Sequence, residues 1–122
     1  MDGFADFTLN KTAYPDMPEI TKVLHDSNRK LIPIVDAGLK YFENSKYVAM
    51  ANQFNALIRS NLTGEPLIAE VYAPQTVFLD WLNNKSSEVW ETGFNDFYDL
   101  FKFDAIILDM DENTIFVNGE NR

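Results

Sequence analysis

Apolar positions along this chain fall into blocks with different periods. Met17, Ile20, Val23 and Leu24 recur at the spacing of one helix face. Asp16-Met17-Pro18-Glu19 puts an acid at the cap and a Glu three residues later. Pro18 is tolerated there because the first amides of a helix have no internal partner. A helix is expected from about Asp16, with His25 on its flank as a capping or packing residue. Leu31-Ile32-Pro33-Ile34-Val35-Asp36-Ala37-Gly38 is a short apolar run closed by a carboxylate and small residues, the pattern of a strand buried on both faces. Pro33 weighs against that strand, since it cannot donate to a ladder.

From 40 to 60 the apolar residues Tyr41, Phe42, Tyr47, Val48, Met50 and Phe54 give no clean period. Leu57 to Ser60 and Pro66 to Tyr72 read as extended, joined by a turn at Leu62-Thr63-Gly64-Glu65, so a hairpin is expected. Ser86 or Ser87 then opens a second helix running to about Lys102. Trp90, Phe94, Phe97 and Phe101 form its stripe with Val89 and Leu100, a core pattern rather than a cofactor box. Gly93 within it should weaken the helix by about 1 kcal/mol against Ala. Phe103 to Leu108 is apolar and β-branched and runs into Asp109-Met110-Asp111-Glu112. Helix, strand, insertion, helix, strand is the order of a parallel sheet covered by helices. Function in such sheets collects at the carboxyl ends of strands, where Asp36 and Asp109 both fall.

Composition narrows the chemistry. With 46% hydrophobic and 24% charged residues the chain is of ordinary globular type. Zero cysteines exclude disulfides, thiolate metal sites and thiol nucleophiles. Ten basic against nineteen acidic residues leave a formal charge of -9, which opposes nucleic acid and anionic membranes as partners. No apolar run reaches the roughly 18 residues of a membrane span, and the amino terminus lacks the charge and apolar core of a signal peptide. A complete barrel of eight strand–helix units takes about 250 residues, more than the 122 present.

The acidic end admits three readings. A carboxylate held at a strand end can attack an anomeric carbon, with a second carboxyl as acid. Asp109, Asp111, Asn113 and Glu120 also match places of a calcium-binding loop, but Thr114 stands where that loop needs glycine, and the residues before Asp109 are β-branched. The third reading is three acids that solvate a turn.

Several segments, in order, resemble the catalytic barrel of family-31 glycoside hydrolases, the alpha-glucosidase family, over nearly the whole chain. Asp6-Phe7-Thr8 looks like the family's Asp-Phe-Thr, and Tyr14-Pro15 through Lys30-Leu31 is similar to its Phe-Pro…Leu-His…Lys-Leu helix. Ile34-Val35-Asp36 matches an Ile-Val-Asp strand end, and Pro66 to Tyr72 with Gln75 to Phe78 resemble the stretch around Val-Trp-Pro-Gly, with Asp80 fitting the Phe-Pro-Asp that follows. Phe103-Asp104-Ala105-Ile106-Ile107-Leu108-Asp109-Met110-Asp111-Glu112 looks like the signature Phe-Asp-Gly-Ile-Trp-Ile-Asp-Met-Asn-Glu. The resemblance implies an α/β fold that is a fragment of a (β/α)8 TIM barrel, about two strand–helix units with an inserted hairpin. It implies Asp109 as catalytic nucleophile of a retaining enzyme. It further implies Ile34, Asp36, Tyr72, Ile107 and Met110 as sugar-pocket positions, and Asp104 and Glu112 as supports of the nucleophile. An alpha-glucoside or oligosaccharide is the implied substrate, with no cofactor and no metal.

The chain departs from the pattern at four places. Ile107 and Tyr72 replace tryptophans, Ala73-Pro74 replaces Pro-Gly, and Asp111 replaces asparagine, adding a charge that should raise the Asp109 carboxyl. The family's acid/base aspartate lies on a later strand, so the chain by itself is expected to be inactive. The alternative is a non-catalytic remnant acting as a small structural or interaction domain. Three glycosylation tripeptides, at Asn10, Asn61 and Asn84, suit a secretory protein without assigning a compartment.

Overall fold

The computed structural model describes residues 1–112, 115 and 116. In chain order the elements are α1 (Met17–Asp26), β1 (Ile34–Asp36), β2 (Gly38–Lys40), α2 (Lys46–Gln53), β3 (Thr76–Phe78), α3 (Ser86–Phe101) and β4 (Ile107–Asp109). β1 and β4 pair in parallel, with Ile34 against Ile107, Val35 against Leu108 and Asp36 against Asp109. β2 and β3 pair antiparallel, with Gly38 against Phe78. Among the described residues these are two two-stranded sheets, and no barrel closes.

Both expected helices form, with different chemistry at their ends. Asp16 is the N-cap of α1 but its side chain makes no cap bond. The buried position of α1 is Thr21, whose hydroxyl donates to the Met17 carbonyl at 3.0 Å, whereas Ile20 and Val23 are exposed. The helix thus packs along Met17, Thr21 and Leu24, and a buried threonine is tolerated because its one polar atom is satisfied internally. α3 starts at Ser86, which is used as a tether: its hydroxyl donates to the Asp80 carbonyl.

The first strand is shorter than its apolar run and is not buried on both faces. Val35 is fully buried, while Ile34 is about half exposed. Pro33 lies just outside and contributes its carbonyl, which accepts from Ile107 N–H at 2.9 Å, so its missing donor costs nothing. The expected hairpin survives as one isolated bridge, Arg59 with Pro66, while Ala69 bridges Thr76 of β3 and the regular ladder belongs to β2 and β3. β4 covers Ile107–Asp109 alone. The aperiodic stretch before residue 60 contains α2, opened by Ser45 accepting from Val48 N–H and burying Val48 and Ala51.

The main core gathers Val35, Leu39, Val77, Leu79, Val89, Phe97 and Phe101 around Phe7. The Phe7 ring meets Tyr47, Trp90, Phe94 and Phe97 edge-on. Gly93 makes this possible, since a Cβ there would lie 2.4 Å from the Phe7 ring. Helix propensity alone predicts that Gly93→Ala adds about 1 kcal/mol. We expect the opposite sign, because overpacking against a wedged ring costs roughly 1–3 kcal/mol. A urea midpoint equal to or above wild type would show that the ring has room to move.

Candidate functional site

Side chains alternate across a strand, and residues directly paired in a parallel ladder point to the same side. The β1–β4 register therefore sets Ile34, Asp36, Ile107 and Asp109 on one face, with Val35 turned into the core on the other. The two carboxylates stand side by side at the carboxyl ends of strands about 4.8 Å apart. Burial, and then the charge of Asp109, raises the Asp36 carboxyl above the ordinary carboxylate range. The like charge facing Asp36 is thus Asp109 across the ladder, a neighbour more than seventy residues away in sequence. Asp111 lies beyond, in exposed chain.

Met110 turns the chain sharply after Asp109. Its φ is 51°, a left-handed conformation that is uncommon for residues with a side chain and clusters at functional sites. Its N–H donates to Asp109 Oδ1 at 3.1 Å. Its side chain packs on a second cluster formed by Ala37, Ala69, Val71 and Phe78, so the insertion between α2 and α3 braces the turn. Tyr72 is exposed on that insertion and stacks edge-on with Phe116 at 5.3 Å, while Phe116 N–H donates to the Glu70 carbonyl. This brings Tyr72 to the segment following the strand end. Glu112 lies in the exposed chain beyond Met110.

Asp104 is placed elsewhere. Its carboxylate accepts from Leu31 N–H at 2.9 Å, bonds His25 Nε2 at 2.8 Å and pairs with Lys30 at 3.0 Å. Its own N–H donates to the Leu31 carbonyl. These contacts lie ahead of β4, five residues and on the order of 15 Å of extended chain from Asp109. They lash the end of α1 to the approach of β4, and the structure does not bring Asp104 to the nucleophile position. The Leu31 amide, His25 and Lys30, in that order, hold its carboxyl well below the usual range.

Sequence reasoning missed Asp6 as a member of the site. It is buried, and burial followed by the charge of Asp36 pushes its carboxyl up to about 7. The only sequence signal was its place in Asp-Phe-Thr. For the calcium-loop reading, Asn113, Thr114 and Glu120 lie outside the described residues, and Asp109 closes a strand rather than a helix.

Residues 1–122 match the glycosyl hydrolases family 31 TIM-barrel domain. The chain belongs to glycosyl hydrolase family 31. It is 32% identical over 124 residues to the lysosomal alpha-glucosidase of Bos taurus, covering 98% of this chain and 13% of that protein. Against alpha-xylosidase 1 of Arabidopsis thaliana it is 32% identical over 121 residues, again 98% of this chain and 13% of the relative. A crystal structure of the glucosidase II alpha subunit bound to DNJ superposes with a TM-score of 0.85 at 24% identity, over 98% of this chain and 13% of that one, a likeness of fold. The chain thus spans about 13% of these relatives. It is an alpha-glucosidase-like segment of a family-31 barrel, and no helix among its described residues is long and apolar enough to cross a membrane.

Two outcomes follow from the placement of these acids. Asp109→Asn removes the charge facing Asp36, so the Asp36 carboxyl should titrate at lower pH in the variant, read by carboxyl-carbon NMR. An unchanged midpoint would assign the shift to burial alone. Asp104→Ala should lower stability at neutral pH. Because the folded carboxyl titrates below its unfolded value, that contribution is present above about pH 4 and is lost as pH falls through the folded midpoint. Chemical unfolding should therefore show the gap from wild type closing in acid, and a gap independent of pH would contradict this.

Proposed function

We propose that this segment supplies the nucleophile strand of a retaining alpha-glucosidase. The observation that carries the reading is Asp109 at the carboxyl end of β4, bonded by the Met110 amide and in register with Asp36 on one sheet face. Parallel α/β folds place their sites at this edge. In the proposed reaction the Asp109 carboxylate attacks the anomeric carbon of an alpha-glucoside. The glycosidic C–O bond breaks, the departing oxygen takes a proton from an acid, and water later displaces Asp109 from the sugar. Ile34, Asp36, Ile107 and Met110 would line the near side of the sugar, with Tyr72 at its margin and Glu112 in the turn that follows.

Asp36 is not the proton donor in this reading. Neighbours on one sheet face meet the same side of a bound ring, whereas the two carboxyls of a retaining pair flank the scissile bond. The donor belongs to another strand of a complete barrel, so the 122-residue chain alone should show no turnover. Ile107, half exposed where the family signature has tryptophan, favours a second reading as a non-catalytic remnant.

A 5-fluoro-α-glucosyl fluoride separates the two, because fluoride leaves without protonation and the missing acid is bypassed. Mass spectrometry should find one glycosyl adduct on Asp109 in the wild-type chain and none in Asp109→Asn. Absence of adduct at saturating reagent would favour the remnant, and measurable hydrolysis of an unactivated maltoside would refute the need for a second strand.

A further inference from the structure

Asp6 is 5% exposed, and its Oδ1 is buried with no hydrogen-bond partner among the described residues. A buried carboxyl oxygen without a donor favours a proton on that carboxyl. Its position relative to β1 is defined by the ladder. Ile107 N–H donates to the Pro33 carbonyl, and amides alternate between the two edges of a strand. The Asp36 N–H consequently lies on the edge turned away from β4, toward the Asp6 carboxyl. On that edge no strand pairs with β1 among the described residues.

Other charges surround it. Asp6 lines a cavity of about 180 Å³ together with Lys40, Ser45, Lys46 and Tyr47. Lys40 of β2 is engaged with the Gly3 carbonyl, and Lys46 and Tyr47 of α2 both bond Asp96. The amino terminus and Asp36 complete the charged groups that face it. Two lysines nearby are thus already occupied, and the Asp36 amide and the terminal amine only partly offset burial.

We propose that Asp6 is a positioning residue for the strand-end carboxylates: it fixes the end of β1 through the Asp36 amide and stays uncharged at its buried, unpartnered Oδ1, so that no third charge joins Asp36 and Asp109. This deepens the reading of Asp109 as nucleophile and takes its catalytic meaning from it. The folded carboxyl titrates above its unfolded value, so the folded chain holds the extra proton between about pH 4 and about pH 7. The arrangement is intact on the acid side, and its cost rises until the proton is lost near 7.

Amide NMR of the 122-residue chain between about pH 5 and about pH 8.5 tests this without turnover. In wild type the Asp36 N–H shift should follow a step centred near 7. The step should vanish in Asp6→Asn, which keeps an oxygen acceptor but cannot titrate, with the Asp36 amide still protected from exchange. Asp6→Leu should release that protection about tenfold, the worth of one hydrogen bond. The other charged groups are common to all three proteins, so the difference between curves is the readout. Identical Asp36 curves in wild type and Asp6→Asn overturn the proposal. So does a wild-type curve with no step near neutrality, a result that needs no variant to fold. A chain that labels at Asp109 yet lacks the step would sink the role of Asp6 alone, leaving the nucleophile standing.

Discussion

Insertion of one phenylalanine ring organises this fold. Phe7 carries a φ of 59°, a conformation that costs a residue with a side chain roughly 1–2 kcal/mol. Its ring repays this by meeting four others edge-on, each such pair worth about 0.5–1.5 kcal/mol beyond area burial. The contact joins the amino-terminal segment to α2 through Tyr47 and to α3 through Trp90, Phe94 and Phe97. Because Asp6 precedes Phe7 directly, anchoring the ring also holds a carboxyl behind β1. Core packing and site geometry are therefore two consequences of the same insertion.

The acidic excess divides by environment. Asp96 and Asp104 sit among donors, chiefly Lys46 for the first and the Leu31 amide for the second, and both carboxyls are held low. They tie elements together: Asp96 joins α3 to α2, and Asp104 joins α1 to the approach of β4. Asp6, buried, and Asp36, half-buried, lie beside like charge and are held high. The same side chain thus serves as a fastening where hydrogen-bond donors reach it, and as a proton-binding group where burial and another carboxylate dominate.

The helical stripe of α3 was legible because its aromatic period is strong and its burial is decided by one face. The carboxyl edge was legible too, since an apolar run ending in aspartate reads the same way at residue 36 and at residue 109. α2 was not: Tyr47, Val48 and Met50 give a weak period, and its formation depends on Ser45 and on burial of Val48 and Ala51. β2 was hidden for a related reason. Gly38-Leu39-Lys40 has no strand pattern of its own and becomes a strand by pairing with Thr76–Phe78, more than thirty residues away. Asp104 was read as a support of Asp109 from its place in the family signature, yet its carboxylate engages Leu31, His25 and Lys30 ahead of β4.

What the sequence determined by itself was local: the helices α1 and α3, where the apolar runs stop, that two aspartates close them, and a run of motifs that names the family. Local pattern is enough for these because each depends on neighbours within a few residues. Tertiary structure decided which acids face one another. The pairing of Asp36 with Asp109, the burial of Asp6 behind them and the space at Gly93 for Phe7 each join residues tens of positions apart. Register, burial and like-charge repulsion depend on distance in space, which the order of residues does not contain.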